Sequence, residues 1–342
     1  MYILGISCFF HDSAAALTKN GEIIAAAEEE RFTRIKHDNN FPFQSISFCL
    51  TKAGINGEDL DHVIFYEKPL IKLDRILSTI KSNFPKSFNI YKDVFENCAT
   101  QKLWIRDFIK KYLRISKNKI LFYEHHFSHA ASSYYCSEFN QSDLLTIDGV
   151  GEWTTTSFGI TKNNKLLRQN SVDFPNSLGL FYSAFTEFLG FEVNEGEFKV
   201  MGMAPYGQPK YLDKIDKLFK KVEGLNFELD MSYFDFDKSL KTNLSNKFIQ
   251  LFGDRRIKEE PFFLDSYEKD LSDQKFHVSK KVLQRSQYYS DIACSLQKYI
   301  EKIILGFTKN LQTKNKNSSL CYSGGVAYNC SANYQIIKSK QY

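Results

Sequence analysis

The sequence predicts an α/β fold in which one plan is used twice, and three observations carry that prediction. Residues 2–8 (YILGISC), 13–18 (SAAALT) and 22–28 (EIIAAAE) are short apolar runs, the last two joined by "KNG" at 19–21. Short apolar runs joined by Asn-Gly turn chemistry mark the antiparallel strands of a meander. Residues 143–149 (DLLTIDG), 152–161 (EWTTTSFGIT) and 165–172 (KLLRQNSV) repeat the arrangement, with "KNN" at 162–164 in place of "KNG". Each meander is then followed by helical and strand patterns, as expected of sheets that carry helices on their faces.

Taken in order, 44–54 (QSISFCLTKAG) reads as a helix ended by Gly54, and 61–66 (DHVIFY) as a buried strand. Residues 70–118 are aromatic and Lys-rich, an irregular helical insertion, before a strand at 119–123 and a helix from about 126 to 137. After the second meander, 176–190 (NSLGLFYSAFTEFLG) is helical with Gly190 as its stop, whereas 208–283 is polar, Phe-rich and without a readable period. Apolar residues recur at helical spacing over 287–312, and 319–337 reads as strand, Gly-rich turn, helix. The expected division is a first lobe at 1–140 and a second at 141–342.

A chain of 342 residues with 43% hydrophobic and 15% aromatic content can bury a core large enough for two lobes. Its 45 basic and 40 acidic side chains leave a net +5 that is scattered, which gives no footprint for nucleic acid. Seven cysteines without a CxxC pair argue against a zinc knuckle and a disulfide framework. The start "MYILGISCFF" lacks a charged leader, and no apolar run reaches the roughly 20 residues a bilayer requires. A cytoplasmic protein without a membrane partner is expected.

The chemistry-bearing stretches sit where strands end. The first meander contains the turn "CFFHDSAAA" (8–16) and the second "IDGVGEWTT" (147–155), where Gly149 and Gly151 would let backbone N–H groups approach a phosphate. In "YSGGVAYN" (322–329), Gly324 and Gly325 would free a helix N-terminus for a nucleotide, with Asn329 closing the motif. One glycine pair alone marks a tight turn just as well. Three such turns in this order resemble the actin-like, sugar-kinase and Hsp70 ATPase superfamily, a duplicated ribonuclease H-like fold with mixed sheets. In "EHHFSHAASSYY" (124–135), His125 and His129 are four apart, so on a helix they lie over one another while His126 points elsewhere. They are either a solvated or core pair, or two ligands that Asp148 could complete for Fe(II), Mn(II) or Zn(II).

"ILGISCFFHDSAAAL" (3–17), "AAEEERFTRIKHDNNFP" (26–42), "EHHFSHAASSYY", "LLTIDGVGEW" (144–153), "GEFKVMGMAPYG" (196–207) and "SGGVAYNCSAN" (323–333) together resemble the NodU/CmcH carbamoyltransferases. That family includes tobramycin and cephalosporin O-carbamoyltransferases, and its first domain is similar to the universal tRNA threonylcarbamoyladenosine protein. The resemblance implies that carbamoyl phosphate and ATP give carbamoyl adenylate, from which a hydroxyl of a sugar, glycan or natural product takes the carbamoyl group. It implies an iron-like metal on His125, His129 and Asp148, and a nucleotide contact from Lys36. His11 is the candidate base for the acceptor hydroxyl, or else a turn residue bonded to its own backbone. Arg31, Arg34 and Lys36 either clamp an anion or form a solvated helix face, and Lys199 is a further candidate for a substrate or phosphate contact. "MGMAPYG" reads as a structural Pro–Gly loop.

Family members are longer. They add a metal-binding Asp in a Gly-Asp turn and a YrdC-like domain that makes the adenylate, and this sequence ends at "IIKSKQY" before both. The expectation is a second lobe incomplete at its C-terminus and an isolated chain that needs a complementing C-terminal polypeptide or another copy for activity. The competing readings are a subunit for tRNA threonylcarbamoyladenosine-type modification, a sugar-kinase-like or Hsp70-like ATPase, and an inactive nucleotide-binding remnant.

Overall fold

A computed structural model describes residues 1–87, 102–258, 260–264 and 278–342. The chain divides into two compact units, Met1–Ser128 and His129–Tyr342.

The first unit opens with the meander β1 (Tyr2–Ser7), β2 (Ala14–Lys19) and β3 (Glu22–Glu28). Asn20 and Gly21 stand at φ 53° and 92°, the left-handed pair that a two-residue hairpin turn requires. A one-turn helix α1 (Glu30–Thr33) leads to α2 (Phe43–Ala53), and Gly54 at φ 66° ends α2. Buried Glu29 accepts hydrogen bonds from the Gln44 and Ser45 N–H groups at 3.0 and 2.8 Å, so it stabilises the orphan donors and the positive end of α2. Strands β4 (His62–Phe65) and β5 (Ile120–Phe122) finish a sheet of order β3-β2-β1-β4-β5, with β1–β4 and β4–β5 parallel. Leu4, Leu17, Ile46, Val63 and Phe65 form its core, each fully buried. The expected 70–118 insertion contributes α3 (Pro69–Ser82) and α4 (Ile105–Leu113), and its residues 88–101 lie outside the described ones.

The helix α5 (His125–Tyr134) runs across the division between the units. Beyond it, β6 (Asp143–Ile147), β7 (Thr154–Lys162) and β8 (Lys165–Asp173) form the second meander, turned by Asn163 and Asn164 at φ 51° and 58°. Its sheet has the order β11-β6-β7-β8, with β11 (Leu320–Ser323) parallel to β6. That is the order β4-β1-β2-β3 of the first unit with the same strand directions. Two ribonuclease H-like sheets of one topology make this the duplicated actin-like ATPase fold.

Helices α6 (Leu178–Phe188), α7 (Glu197–Met203), α8 (Leu212–Asp216) and α9 (Asn246–Phe252), and the hairpin β9 (Phe219–Glu223) and β10 (Asn226–Leu229), surround one aromatic core. Phe181, Phe185, Phe188, Phe227, Phe234, Phe248 and Phe252 are fully buried in it, with ring pairs such as Phe185–Phe248 edge to face at 5.1 Å. The stretch 208–283 is therefore ordered structure for the most part, although 259 and 265–277 fall outside the described residues. The 36-residue α10 (Lys280–Asn315) lines this core, and α11 (Cys330–Ser339) follows β11. No described helix is long and apolar enough to cross a membrane.

Ser177 caps α6: its Oγ accepts from the Leu180 N–H at 3.0 Å and donates to the Gly149 carbonyl at 2.6 Å. Ser177→Ala removes a buried cap and strands a carbonyl partner, so the unfolding free energy measured in urea should fall by about 1–2 kcal/mol.

Candidate functional site

In the second unit the chemistry gathers where β6 ends. Side by side with β6, β11 brings Gly324 against the Ile147 carbonyl, so closely that a Cβ there would overlap the oxygen, and φ is 93°. Only glycine fits such a position. The chain then turns so that the Gly325 N–H donates to Asp148 Oδ1 at 3.0 Å. Asp148 Oδ2 stands 3.6 Å from His129 Nε2, with the carboxylate largely buried and the imidazole about one-third exposed. This separation exceeds a direct hydrogen bond. His125 precedes His129 by four residues on the continuous helix α5, hence on the same helix face.

The loop from Asp148 to Thr155 is tightly tied. The Asp148 N–H donates to the Thr155 carbonyl and the Gly151 N–H to the Thr154 carbonyl, both at 2.9 Å. The turn itself thus takes up the Gly151 N–H that the sequence suggested for phosphate. A Cβ on Gly149 would meet only Leu180 Cδ2, at 4.0 Å, so Gly149 is not forced by packing. Gly179, which the sequence reading passed over, is forced: a Cβ there would lie 2.7 Å from the Asp148 carbonyl oxygen and the Gly149 backbone. It lets the N-terminus of α6 press against the loop.

Asn329 has a structural role that the sequence did not suggest. Its side chain is buried, accepts from the Ala332 N–H at 3.0 Å as the cap of α11, and exchanges hydrogen bonds with Gln297 at 2.9 Å. These bonds make Asn329 a helix cap and occupy its Oδ1 and one of the two Nδ2 hydrogens. Gly324 and Gly325 likewise open a short 3₁₀ turn, Gly325–Tyr328, ahead of α11. Lys199 is exposed on α7, its Nζ 5.8 Å from the Phe198 ring and 6.0 Å from that of Phe191.

In the first unit, His11 and Asp12 lie in the turn between β1 and β2. Asp12 accepts from two imidazoles: Oδ2 is 2.7 Å from His11 Nδ1, and Oδ1 is 2.9 Å from His37 Nδ1. Burial opposes ionisation of Asp12, but hydrogen bonds from His37 and His11 outweigh it and hold the carboxyl below the ordinary aspartate range. Neither Asp12 nor His37 was singled out by sequence, because 25 residues separate them and no motif joins them. Arg31, Arg34 and Lys36 do not share a helix face. Helix α1 stops at Thr33, Arg34 caps it at φ 61°, Arg31 pairs with Glu28 at 3.2 Å in the open, and Lys36 follows in an exposed turn.

Behind Phe10, buried Glu67 receives Lys72 Nζ at 2.7 Å and Lys102 Nζ at 2.6 Å. Burial, then the nearby Lys72 ammonium, pulls Lys102 below the ordinary lysine range in spite of Glu67. Burial pushes the Cys8 thiol up to about 12, so no thiolate nucleophile is available there at neutral pH.

The chain is 41% identical to an uncharacterized protein of Synechocystis sp. across 100% of its own length and 53% of the relative's. It is 29% identical to nodulation protein NolNO of Sinorhizobium fredii across 97% of this chain and 43% of that one. The chain thus spans about half the length of the curated relatives it matches. Among solved structures, the component A of (R)-2-hydroxyglutaryl-CoA dehydratase from Acidaminococcus fermentans superimposes with a TM-score of 0.42 and 13% identity, covering 99% of this chain and 88% of that one. The family model described as Carbamoyltransferase N-terminus matches residues 2–342. Since that match runs through both meanders, the paired histidines and the β6 and β11 turns alike, the chain belongs to the carbamoyltransferase N-terminus family.

Proposed function

We propose that this chain is the acceptor-site portion of an O-carbamoyltransferase, in which a substrate hydroxyl takes the carbamoyl group from carbamoyl adenylate. The observation that supports it most is Asp148, steadied on one oxygen by the Gly325 N–H and facing His129 with the other. His125, His129 and Asp148 are two imidazoles and a carboxylate, a donor set suited to Fe(II), Mn(II) or Zn(II), and they would hold one such cation. A cation held there supplies Lewis acidity toward a carbonyl or phosphate oxygen.

The remaining work falls to the chain's own groups. Gly149, where an added Cβ would meet only Leu180, leaves open backbone in the second unit, Gly324 and Gly325 shape the turn that places the Gly325 N–H on Asp148, and Lys36, Arg31, Arg34 and Lys199 are each candidate cations for a phosphate contact. His11 acts as general base. Its neutral imidazole takes the acceptor's O–H proton while that oxygen bonds to the carbamoyl carbon, and the bond from that carbon to the adenylate phosphate oxygen breaks, releasing AMP with the electron pair. The acceptor class is a hydroxyl of a sugar or other small molecule. Preparation of the adenylate from carbamoyl phosphate and ATP is a separate step, which we assign to sequence such as the longer relatives carry.

The test supplies preformed carbamoyl adenylate to the metal-loaded chain, complemented in trans or by fusion with C-terminal sequence such as the longer relatives carry, with methyl glycosides as hydroxyl probes, and follows carbamate ester by mass spectrometry. Transfer is expected from wild type, with a loss of about 10²–10⁴-fold in His11→Asn at unchanged metal content. Transfer by His11→Asn within about threefold of wild type removes the base assignment, and absence of any ester with wild type removes the acceptor-site reading.

A further inference from the structure

We propose that Asp12, pinned by His37, is the positioning residue that holds His11 in the tautomer carrying its hydrogen on Nδ1, so that Nε2 is the proton-accepting atom. The inference rests on the reading of His11 as the general base, but concerns a different property, which nitrogen is available.

The argument begins with the carboxylate. Ionised Asp12 has only acceptors to offer, so each imidazole nitrogen that meets it must bring a hydrogen. His11 Nδ1 at 2.7 Å and His37 Nδ1 at 2.9 Å occupy one oxygen each. A neutral His11 bonded in this way has its lone pair on Nε2, and its side chain is more than half exposed, within reach of a substrate. An imidazole without such a partner exchanges between both tautomers, and the fraction with the hydrogen on Nε2 cannot serve as a base through that atom.

Asp12 is in turn held in place. His37 adopts a left-handed backbone at φ 56°, and its N–H donates to Glu30 Oε2 at 3.0 Å. The residues that follow are laced to the first turn, with the Phe9 N–H on the Asn39 carbonyl and the Ser13 N–H on the Asp38 carbonyl, both at 2.8 Å. Asp38 is itself fixed, accepting from the Asn40 N–H at 3.0 Å. The His37 ring therefore reaches Asp12 from a backbone anchored on both sides, and it restrains rotation of the carboxylate that His11 uses. A hydrogen-bonded carboxylate behind a catalytic imidazole commonly sets both its tautomer and its orientation.

Seven histidines make selective ¹⁵N labelling of the full chain practicable, with His11→Asn identifying the His11 signals. In wild type at a pH where His11 is neutral, its ¹⁵N shifts should report Nδ1–H. Asp12→Asn should redistribute His11 toward Nε2–H, and His37→Ala should do so partly. His37→Asn, whose amide can donate from about the Nδ1 position, should restore the wild-type pattern. In the transfer assay Asp12→Asn should lower kcat about 10²-fold or more while KM stays within about threefold. If Asp12→Asn fails to fold, the contrast of His37→Ala with His37→Asn decides alone. A wild-type His11 found with its hydrogen on Nε2, or a tautomer unmoved by these variants, overturns the proposal. Full transfer by His11→Asn alongside the expected tautomer shifts instead refutes the base assignment and leaves the positioning intact.

Discussion

Replacing His125 and His129 together by alanine is expected to take the metal content of the purified chain from about one equivalent to background, as read by elemental analysis after loading with Fe(II) or Mn(II). Both imidazoles ride the single helix α5, so their spacing is a property of that helix, and among the described residues the metal-capable group they form is completed by Asp148. The variant should keep wild-type circular dichroism, because both side chains are only partly buried and alanine suits the helix, the lost contact being that of the His125 ring with Tyr66. Asp148→Asn is a finer probe: its amide oxygen can still accept from Gly325, whereas the anionic ligand is gone, so metal affinity should drop by about 10–100-fold. Full occupancy in the double variant would show that the histidines are not ligands.

The largest effect on stability is expected from Gly207→Ala. Gly207 follows the Ala204–Tyr206 turn, and a Cβ there would overlap the Ser290 carbonyl and the Asp291 nitrogen in the backbone of α10. Helix backbone cannot step aside as a side-chain tip can, so the loop must lift off α10. It would take with it the Gln208 N–H, bonded to Asp291 Oδ1 at 2.8 Å, and Lys210, bonded to Oδ2 at 2.7 Å. A loss of about 3 kcal/mol is expected in urea unfolding. Gly202→Ala, five residues earlier, is the control: a Cβ there meets nothing within 4 Å on an exposed face of α7, and the change should be neutral or stabilise by up to about 1 kcal/mol. Equal effects from the two substitutions would contradict the close packing of the Pro–Gly loop on α10.

The contrast between these glycines also shows what can be read from sequence. Both meanders were legible, since short apolar runs and Asn-Gly or Asn-Asn turns are local signals, and the turn residues take the left-handed angles those signals demand. The HxxxH spacing was legible for the same reason. The aromatic unit around α9 and the β9–β10 hairpin was not. Its phenylalanines are spaced by where they meet one another, Phe181 with Phe219 and Phe234 for instance, and three-dimensional contact leaves no period in the chain. The bridge through Asp12 was hidden likewise, since it is formed by a left-handed residue and two carbonyl contacts distant in sequence. The cap formed by Asn329 was hidden because a helix cap and a ligand contact use the same residue type, and its partner Gln297 is 32 residues away in sequence.

The parallel pairing of β11 with β6 has a consequence for synthesis on the ribosome. In the first sheet β1 meets β4 after 59 residues, but in the second Leu320 must find Asp143, 177 residues earlier. At typical translation rates β6 waits roughly 10–35 s for its neighbour, with the edge that β11 will cover left open. Such an edge pairs readily with other chains. The second unit should therefore be the slow one to mature and the one that draws on chaperones, whereas the first sheet can close while the rest of the chain is still being made.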